Sequence, residues 1–144
     1  MEIINEITIT ELLDEYLDAL NRLDLLAHLK TLHFPHFRYT KDLRIFENPS
    51  DMMPYFAAPD SVKKEYLRKV LGAEWDHTKW IKRKIIQTDL TKAHVATTFA
   101  RFNLDGRKIA EIESLYILTY EEDKWDFQGN KWAIKGRSSF AGPL

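Results

Sequence analysis

The sequence predicts an α+β domain, a curved antiparallel sheet with N-terminal helices packed on its concave face. Three observations predict it. Near the start, Ile9, Leu12, Leu13, Tyr16, Leu17 and Leu20 recur at helical spacing. From His94 to Tyr120 the chain reads as two long strands about a tight turn: Val95 to Phe102 is β-branched, aromatic or small, and Ile109 to Tyr120 mixes apolar with polar residues. Helical segments also precede the long strands instead of alternating with them, which gathers the helices on one face of an antiparallel sheet.

The 144 residues suit one domain, taken as 1–144. A chain of this size buries roughly 68–70% of its unfolded surface, enough for a core. With 21 Lys plus Arg against 22 Asp plus Glu, the net charge of -1 lacks the basic footprint of a nucleic-acid binder. There is no cysteine, hence no disulfide framework and no thiolate metal site. No apolar run approaches the ~20 residues of a membrane span. The opening Met-Glu-Ile-Ile-Asn-Glu has no basic stretch of a leader peptide, so a cytoplasmic protein is expected, with no nucleic-acid or membrane partner.

In chain order, Thr8-Ile9-Thr10-Glu11 has capping-box form, with Thr8 as N-cap of the first helix. Asp24 caps a short second helix to about Lys30, with Leu25, Leu26 and Leu29 inward. Pro35 ends the helical region and restricts Phe34 to extended geometry. His36 to Thr40 then forms a strand, with His36, Arg38 and Thr40 on one face and Phe37 and Tyr39 on the other. Leu43 to Phe46 is its short partner, broken by Asn48-Pro49-Ser50. Residues 50–72 are helical again, punctuated by Pro54 and Pro59, capped by Asp60 or Ser61 and closed by Gly72. Trp75 to Gln87 is one long strand leading into the central hairpin. Trp125 to Phe127 reads as a stub of strand, Trp132 to Phe140 as the last strand, and Ala141 to Leu144 as a tail.

The hairpin turn, Asn103-Leu104-Asp105-Gly106, admits a two-residue turn on Asp-Gly or a three-residue loop with Gly106 left-handed at a bulge. Segregation of polar from apolar residues selects the loop. It pairs Asn103 with Arg107, Thr98 with Ile112 and Ala96 with Ser114. One face then carries Ala96, Thr98, Ala100, Phe102, Ile112, Ser114 and Tyr116, an apolar wall with a few hydroxyls. The other carries Thr97, Phe99, Arg101, Glu111 and Glu113. A bent sheet roofed by helices leaves a gap of the kind that holds small molecules.

The plan resembles the nuclear-transport-factor-2-like superfamily, the cone-shaped, cystatin-like α+β roll that includes ketosteroid isomerase, scytalone dehydratase, limonene epoxide hydrolase and polyketide cyclases. The residues that carry the resemblance are the capped first helix with an inward Tyr16, the helix-Pro-strand step HFPHFRYT, the long hairpin and the closing strand WAIKGRSSFA. The chain is also similar to uncharacterised members with a Trp-His-Trp-like segment after the middle helix and an Arg-Ser-Ser-Phe-Ala ending. By this resemblance Tyr16 matches the tyrosine of the isomerase's oxyanion hole, and Tyr116 falls near its second acid. Thr40 stands where the isomerase has its aspartate base. Threonine cannot take that proton, so steroid isomerisation by that route is not expected, while donors to an oxyanion remain.

His36 and Arg38 share the strand face toward the hollow. His36 titrates near neutrality and suits a general acid or base, and Arg38 a clamp for a carboxylate or enolate; the alternative places both at the rim, bonded to backbone or water. Thr40, Thr98, Phe102, Ser114, Trp75 and Trp80 are the candidate ligand contacts, although tryptophans at strand spacing also serve as core. His33 near His36, and Asp76 beside His77, make a weak metal signal, and neither metal nor cofactor is expected. His28 and His94 read as structural. Arg137 is expected to pair with Glu113 or Glu111 across the sheet, with anion binding as the other reading. Ser138 and Ser139 lie on a strand, not on a nucleophile elbow, and no phosphate loop or dinucleotide fingerprint is present.

Two functions follow. One is an isomerase, lyase or cyclase acting on a small apolar, carbonyl-bearing molecule, with His36 moving the proton and Tyr16 and Tyr116 stabilising the oxyanion. The other is a non-catalytic binding or assembly module, a homodimer through an outer sheet face bearing Phe99, Leu115 and Ile117.

Overall fold

The computed structural model describes residues 4–140; the first three residues and the expected tail, Ala141 to Leu144, lie outside them. Helix α1 (Glu6–Asn21) and helix α2 (Leu25–Leu29) lead into strand β1 (Leu32–Tyr39) and strand β2 (Leu43–Phe46). Helix α3 (Pro49–Met52) and helix α4 (Asp60–Leu71) follow, then β3 (His77–Thr88), β4 (Lys92–Phe102), β5 (Lys108–Asp123) and β6 (Gly129–Ser139). The fold is α+β, with six strands in the order β2-β1-β6-β5-β4-β3. The sheet is not wholly antiparallel, because β1 runs parallel to β6.

Helix α1 begins earlier than the capping-box reading places it. The Asn5 side chain accepts from Thr8 N at 2.8 Å, so Asn5 is the cap and Thr8 sits in the first turn. Asp24 caps α2 as expected, accepting from Ala27 N at 3.0 Å. The inward residues of α2 are Leu25, His28 and Leu29; Leu26 faces out. Pro35 lies inside β1, which already starts at Leu32. Trp125 to Phe127 forms a turn, not a strand, with Phe127 at a φ of 58°.

The turn at the hairpin tip is the three-residue loop: Asn103 N donates to Arg107 O at 2.9 Å, and Gly106 adopts a φ of 82° that favours glycine. One step beyond, the expected register fails. Phe102 pairs with Lys108 but Arg101 pairs with Ala110, so Ile109 is an extra, bulged residue. Past this bulge Thr98 opposes Glu113, and Phe99 opposes Ile112. Strand β5 keeps its expected faces, with Ser114 and Tyr116 buried and Glu111 and Glu113 exposed. Strand β4 is turned over. Val95, Thr97, Phe99 and Arg101 face the helices, while Ala96 and Thr98 face away.

Further bulges interrupt the β3–β4 ladder at two places and the β5–β6 ladder once. Each adds local bend and twist, which curls the sheet around α1. The α1 seam is tied by side chains that reach backbone. The Asn21 amide accepts from Thr78 N and donates to Thr78 O, both at 2.8 Å. Trp80 Nε1 donates to Leu13 O at 3.0 Å. Leu13, Leu25, Leu67, Leu118 and Trp75 are fully buried in the core.

On the outer side, the Phe37 ring lies flat over Gly136 of the neighbouring strand. A Cβ at Gly136 would stand 2.3 Å from that ring. Gly136→Ala is therefore expected to destabilise the fold by about 1–3 kcal/mol through overpacking. Urea unfolding measures it, and the double variant with Phe37→Ala should recover much of the loss. An unchanged midpoint for the single variant would contradict this packing.

Candidate functional site

A cavity of ≈ 400 Å³ lies between the concave sheet and the helices. One part of its wall is apolar: Leu17 and Leu20 from α1, Met52 and Met53 after β2, Leu67 from α4 and Ile112 from β5. The other part is cationic. Arg38, Arg101 and Arg137 line it from three strands, together with Arg44 of β2. Two phenols, Tyr16 and Tyr116, stand among the guanidinium groups, and Asp and Glu are absent from the described lining.

The strands explain the convergence. Arg38 of β1 and Arg137 of β6 are ladder partners, and Arg137 is in turn the partner of Tyr116 on β5. Arg38 Nη2 donates to Tyr16 Oη at 3.3 Å and Arg137 Nη1 donates to Tyr116 Oη at 3.0 Å. Arg101 Nη1 donates to Leu71 O at 3.4 Å. Aromatic faces supply further contacts. The Arg137 guanidinium sits 5.4 Å from the Phe99 centroid and that of Arg101 5.6 Å. Such contacts contribute about 0.5–2 kcal/mol, less than the several kcal/mol lost by each cation on leaving water. Arg38 Nε is buried with no partner.

The charges shape one another. Burial, then Arg137 beside it, draws the Arg38 guanidinium down to about 10, and the same two causes bring Arg101 to about 10. Burial opposes Arg137 as well, but the Tyr116 and Tyr16 phenols carry it above its ordinary value. Burial pushes the Tyr16 phenol up, yet Arg38 and Arg137 outweigh it, and the phenol ends below the usual tyrosine range. Tyr116 goes the other way: burial, then Tyr16, raises it. The rings of the two tyrosines meet edge to face at 5.7 Å.

The expected site residues separate into two groups. Tyr16, Tyr116, Arg38 and Thr40 line the cavity. His36 does not. It is buried behind the wall, where its Nδ1 is 3.1 Å from Ile134 O and burial holds it neutral, well below its usual range. Thr98 lies on the outer face because the Ile109 bulge turns β4 over, and Phe102 stacks there against His77 at 5.2 Å. Ser114 stands behind the lining, bonded to Ser139. Trp75 is core, donating to Thr78 Oγ1 at 2.8 Å with the Lys64 ammonium over its ring. Trp80 packs behind Tyr16 and Tyr116 and reaches no part of the cavity wall.

Arg137 meets neither Glu111 nor Glu113, both of which point outward. Arg101 and His28 line the cavity without having been singled out for it. An arginine between phenylalanines, as in Phe99-Ala-Arg-Phe, was the available signal for Arg101; His28 had none beyond its place on a helix. Its Nδ1 stands 2.6 Å from Tyr16 O. Among the described residues no group of three His, Asp or Glu is placed to hold a metal ion, and no helix is long and apolar enough to cross a membrane.

The chemistry of a cationic, partly apolar lining with phenols among the arginines suits anionic oxygen, which accepts hydrogen bonds from guanidinium and phenol groups. The buried histidines predict a pH effect on the fold. Burial lowers His28 to about 3 and also lowers His33 and His36. The unfolded chain takes up these protons at ordinary histidine values, the folded chain only below them. The stabilisation is therefore complete above about 6.5 and is lost as pH falls toward 3. Urea midpoints should drop between neutral and mildly acidic pH, less so in His28→Asn; a flat profile would contradict neutral buried histidines.

The family described as NTF2-like protein (DUF6841) matches residues 5–129. No curated protein matches the chain. Among solved structures it is similar to a ketosteroid isomerase-like protein from Erwinia carotovora atroseptica at 16% identity, covering 95% of this chain and 97% of that one with a TM-score of 0.59. It is also similar to a protein of unknown function with a cystatin-like fold from Nostoc punctiforme, at 13% identity over 99% and 96% with a TM-score of 0.65. An NTF-2 like protein of unknown function from Shewanella oneidensis shares 16% identity over 92% and 96%, with a TM-score of 0.58. At these identities the likeness shows the fold.

Proposed function

We propose that this chain, which belongs to the NTF2-like family, is a small-molecule-binding domain whose cavity takes an organic anion bearing a carboxylate and a carbonyl group. The observation that carries the proposal is the set of Arg38, Arg101 and Arg137 in a lining with no acidic residue among those described. Burying like charges together is unfavourable unless an opposite charge joins them. Arg38 and Arg137 would hold the carboxylate, Tyr116 would donate to the carbonyl oxygen, and Tyr16 would stand beside the ligand. The apolar wall of Leu17, Leu20, Met52 and Leu67 would cover the remainder. This reading keeps a small carbonyl-bearing ligand and the Arg38 clamp, and adds a carboxylate to that ligand. It also moves proton transfer away from His36, which faces no ligand.

The test is isothermal titration with 2-oxobutanoate and with its neutral amide. The acid is expected to bind and the amide is not. Arg38→Met or Arg137→Met should each weaken the acid by roughly 1.5–3 kcal/mol, as for a charged hydrogen bond. Equal binding of acid and amide would contradict the proposal.

The assembly reading stands beside it. Strand β5 turns Leu115 and Ile117 outward, and Ile81 and Ile86 on β3 are 52% and 50% exposed. The proposal is a homodimer through this outer sheet face, compatible with a ligand in the cavity. Phe99 takes no part, being turned inward and 3% exposed. Sedimentation equilibrium at micromolar concentration should give the dimer mass; monomer alone would contradict it.

A further inference from the structure

The cavity wall holds no carboxylate among the described residues, and His28 and His36 each set Nδ1 against a backbone carbonyl while Nε2 is buried without a partner. His36 lies behind the wall with its Nδ1 against Ile134 O. His28 has its Nδ1 against Tyr16 O and burial keeps it neutral. Of the four phenols in the lining, Tyr39 is half exposed and Tyr66 donates to Met52 O; Tyr16 and Tyr116 remain, buried among the arginines, and their surroundings differ. Tyr16 on α1 accepts from Arg38 Nη2 of β1, and its ring lies tilted, 4.4 Å from that of His28 of α2. Trp80 of β3 lies 6.3 Å from the Tyr16 ring on another side. Arg137 of β6 and Arg101 of β4 line the same cavity, and Tyr116 of β5 meets Tyr16 edge to face. Every charged group around the Tyr16 oxygen is thus a cation. Tyr116 instead carries its own donor, Arg137, on its oxygen.

We propose that Tyr16 is the proton-accepting group of the cavity, working as a phenolate on the carbon beside the carbonyl of a bound 2-oxo acid, with Tyr116 as the donor to the carbonyl oxygen. The inference rests on the anion-binding reading above. In the empty cavity the Tyr16 phenolate is the counter-charge to Arg38. With 2-oxobutanoate bound, the carboxylate takes over that charge. A C3–H bond breaks and its proton forms the O–H of Tyr16. The electron pair makes the C2–C3 double bond, and the carbonyl π pair moves to oxygen as an enolate. Tyr116 donates a hydrogen bond to that enolate, with Arg137 behind it. Return of the proton to C3 restores the acid, so no oxidant or further reactant enters. The cations that hold the Tyr16 phenol below its usual range, against burial, agree with this role.

Two measurements on the full chain test it. The first is titration of the near-ultraviolet phenolate absorbance of the ligand-free protein. One of the six tyrosines should ionise ahead of the others. That early phase should vanish in Tyr16→Phe, persist in Tyr116→Phe and move to higher pH in Arg38→Met. Six tyrosines ionising together, or an early phase that survives Tyr16→Phe, overturns the proposal. The second is proton NMR of 2-oxobutanoate in deuterium oxide. The protein should speed exchange at C3, and Tyr16→Phe should lose at least about a hundredfold of that rate at matched occupancy. Circular dichroism verifies that the variant is folded. Binding without exchange overturns the role of Tyr16 and leaves the anion site standing. Failure of 2-oxobutanoate to bind contradicts the anion site and takes this proposal with it.

Discussion

The molecule is organised around positive charge held inside a hollow with no acidic residue in its described walls. Three guanidinium groups, from β1, β6 and β4, face a helix that brings a phenol, not a carboxylate. The aromatic faces and single hydrogen bonds around them offset part of the desolvation, and Arg38 Nε is left with nothing. Such an arrangement of buried like charge is what the proposed anion would neutralise. The two tyrosines are set apart, since Arg38 and Arg137 draw the Tyr16 phenol toward ionisation while burial, then Tyr16 beside it, holds Tyr116 protonated.

The sheet makes the arrangement possible through its irregularities. Regular pairing from the hairpin loop would have sent Arg101 and Phe99 outward and Thr98 inward. One extra residue at Ile109 reverses that and brings a cation and an aromatic face into the cavity. The parallel pairing of β1 with β6 sets Arg38 beside Arg137, and the antiparallel pairing of β6 with β5 sets Arg137 beside Tyr116. Charge, donor and phenol thus lie on adjoining strands, and α1 lays Tyr16 across them. Its position is pinned by the Asn21 and Trp80 bonds to and from backbone.

Most of the architecture was legible in the sequence. Helical spacing revealed α1, the Asn103 to Gly106 loop was chosen correctly, and the order of elements pointed to the superfamily and its cystatin-like roll. What was missed has physical causes. A bulge leaves no mark in a pattern whose two registers both look acceptable, so the pattern alone turns β4 inside out and gives Thr98 and Phe102 to the ligand. Tyr16, Tyr116 and Arg38 reach the cavity because they sit on α1, β5 and β1, whose phases the residue pattern predicts, and Thr40 follows just past the end of β1. His36 shares a face with Arg38 by alternation, but the hydrogen bond toward Ile134 O holds it behind the wall. Opposite charge predicts a pairing of Arg137 with Glu111 or Glu113; the outward direction of those glutamates forbids it.

A crystal structure of the protein soaked in 2-oxobutanoate tests the central claim most directly. The account predicts difference density in the hollow, with carboxylate oxygens at about 2.7–3.2 Å from nitrogens of Arg38 and Arg137. Density for water alone at full soaking concentration, with the two guanidinium groups turned away from the hollow, would contradict it.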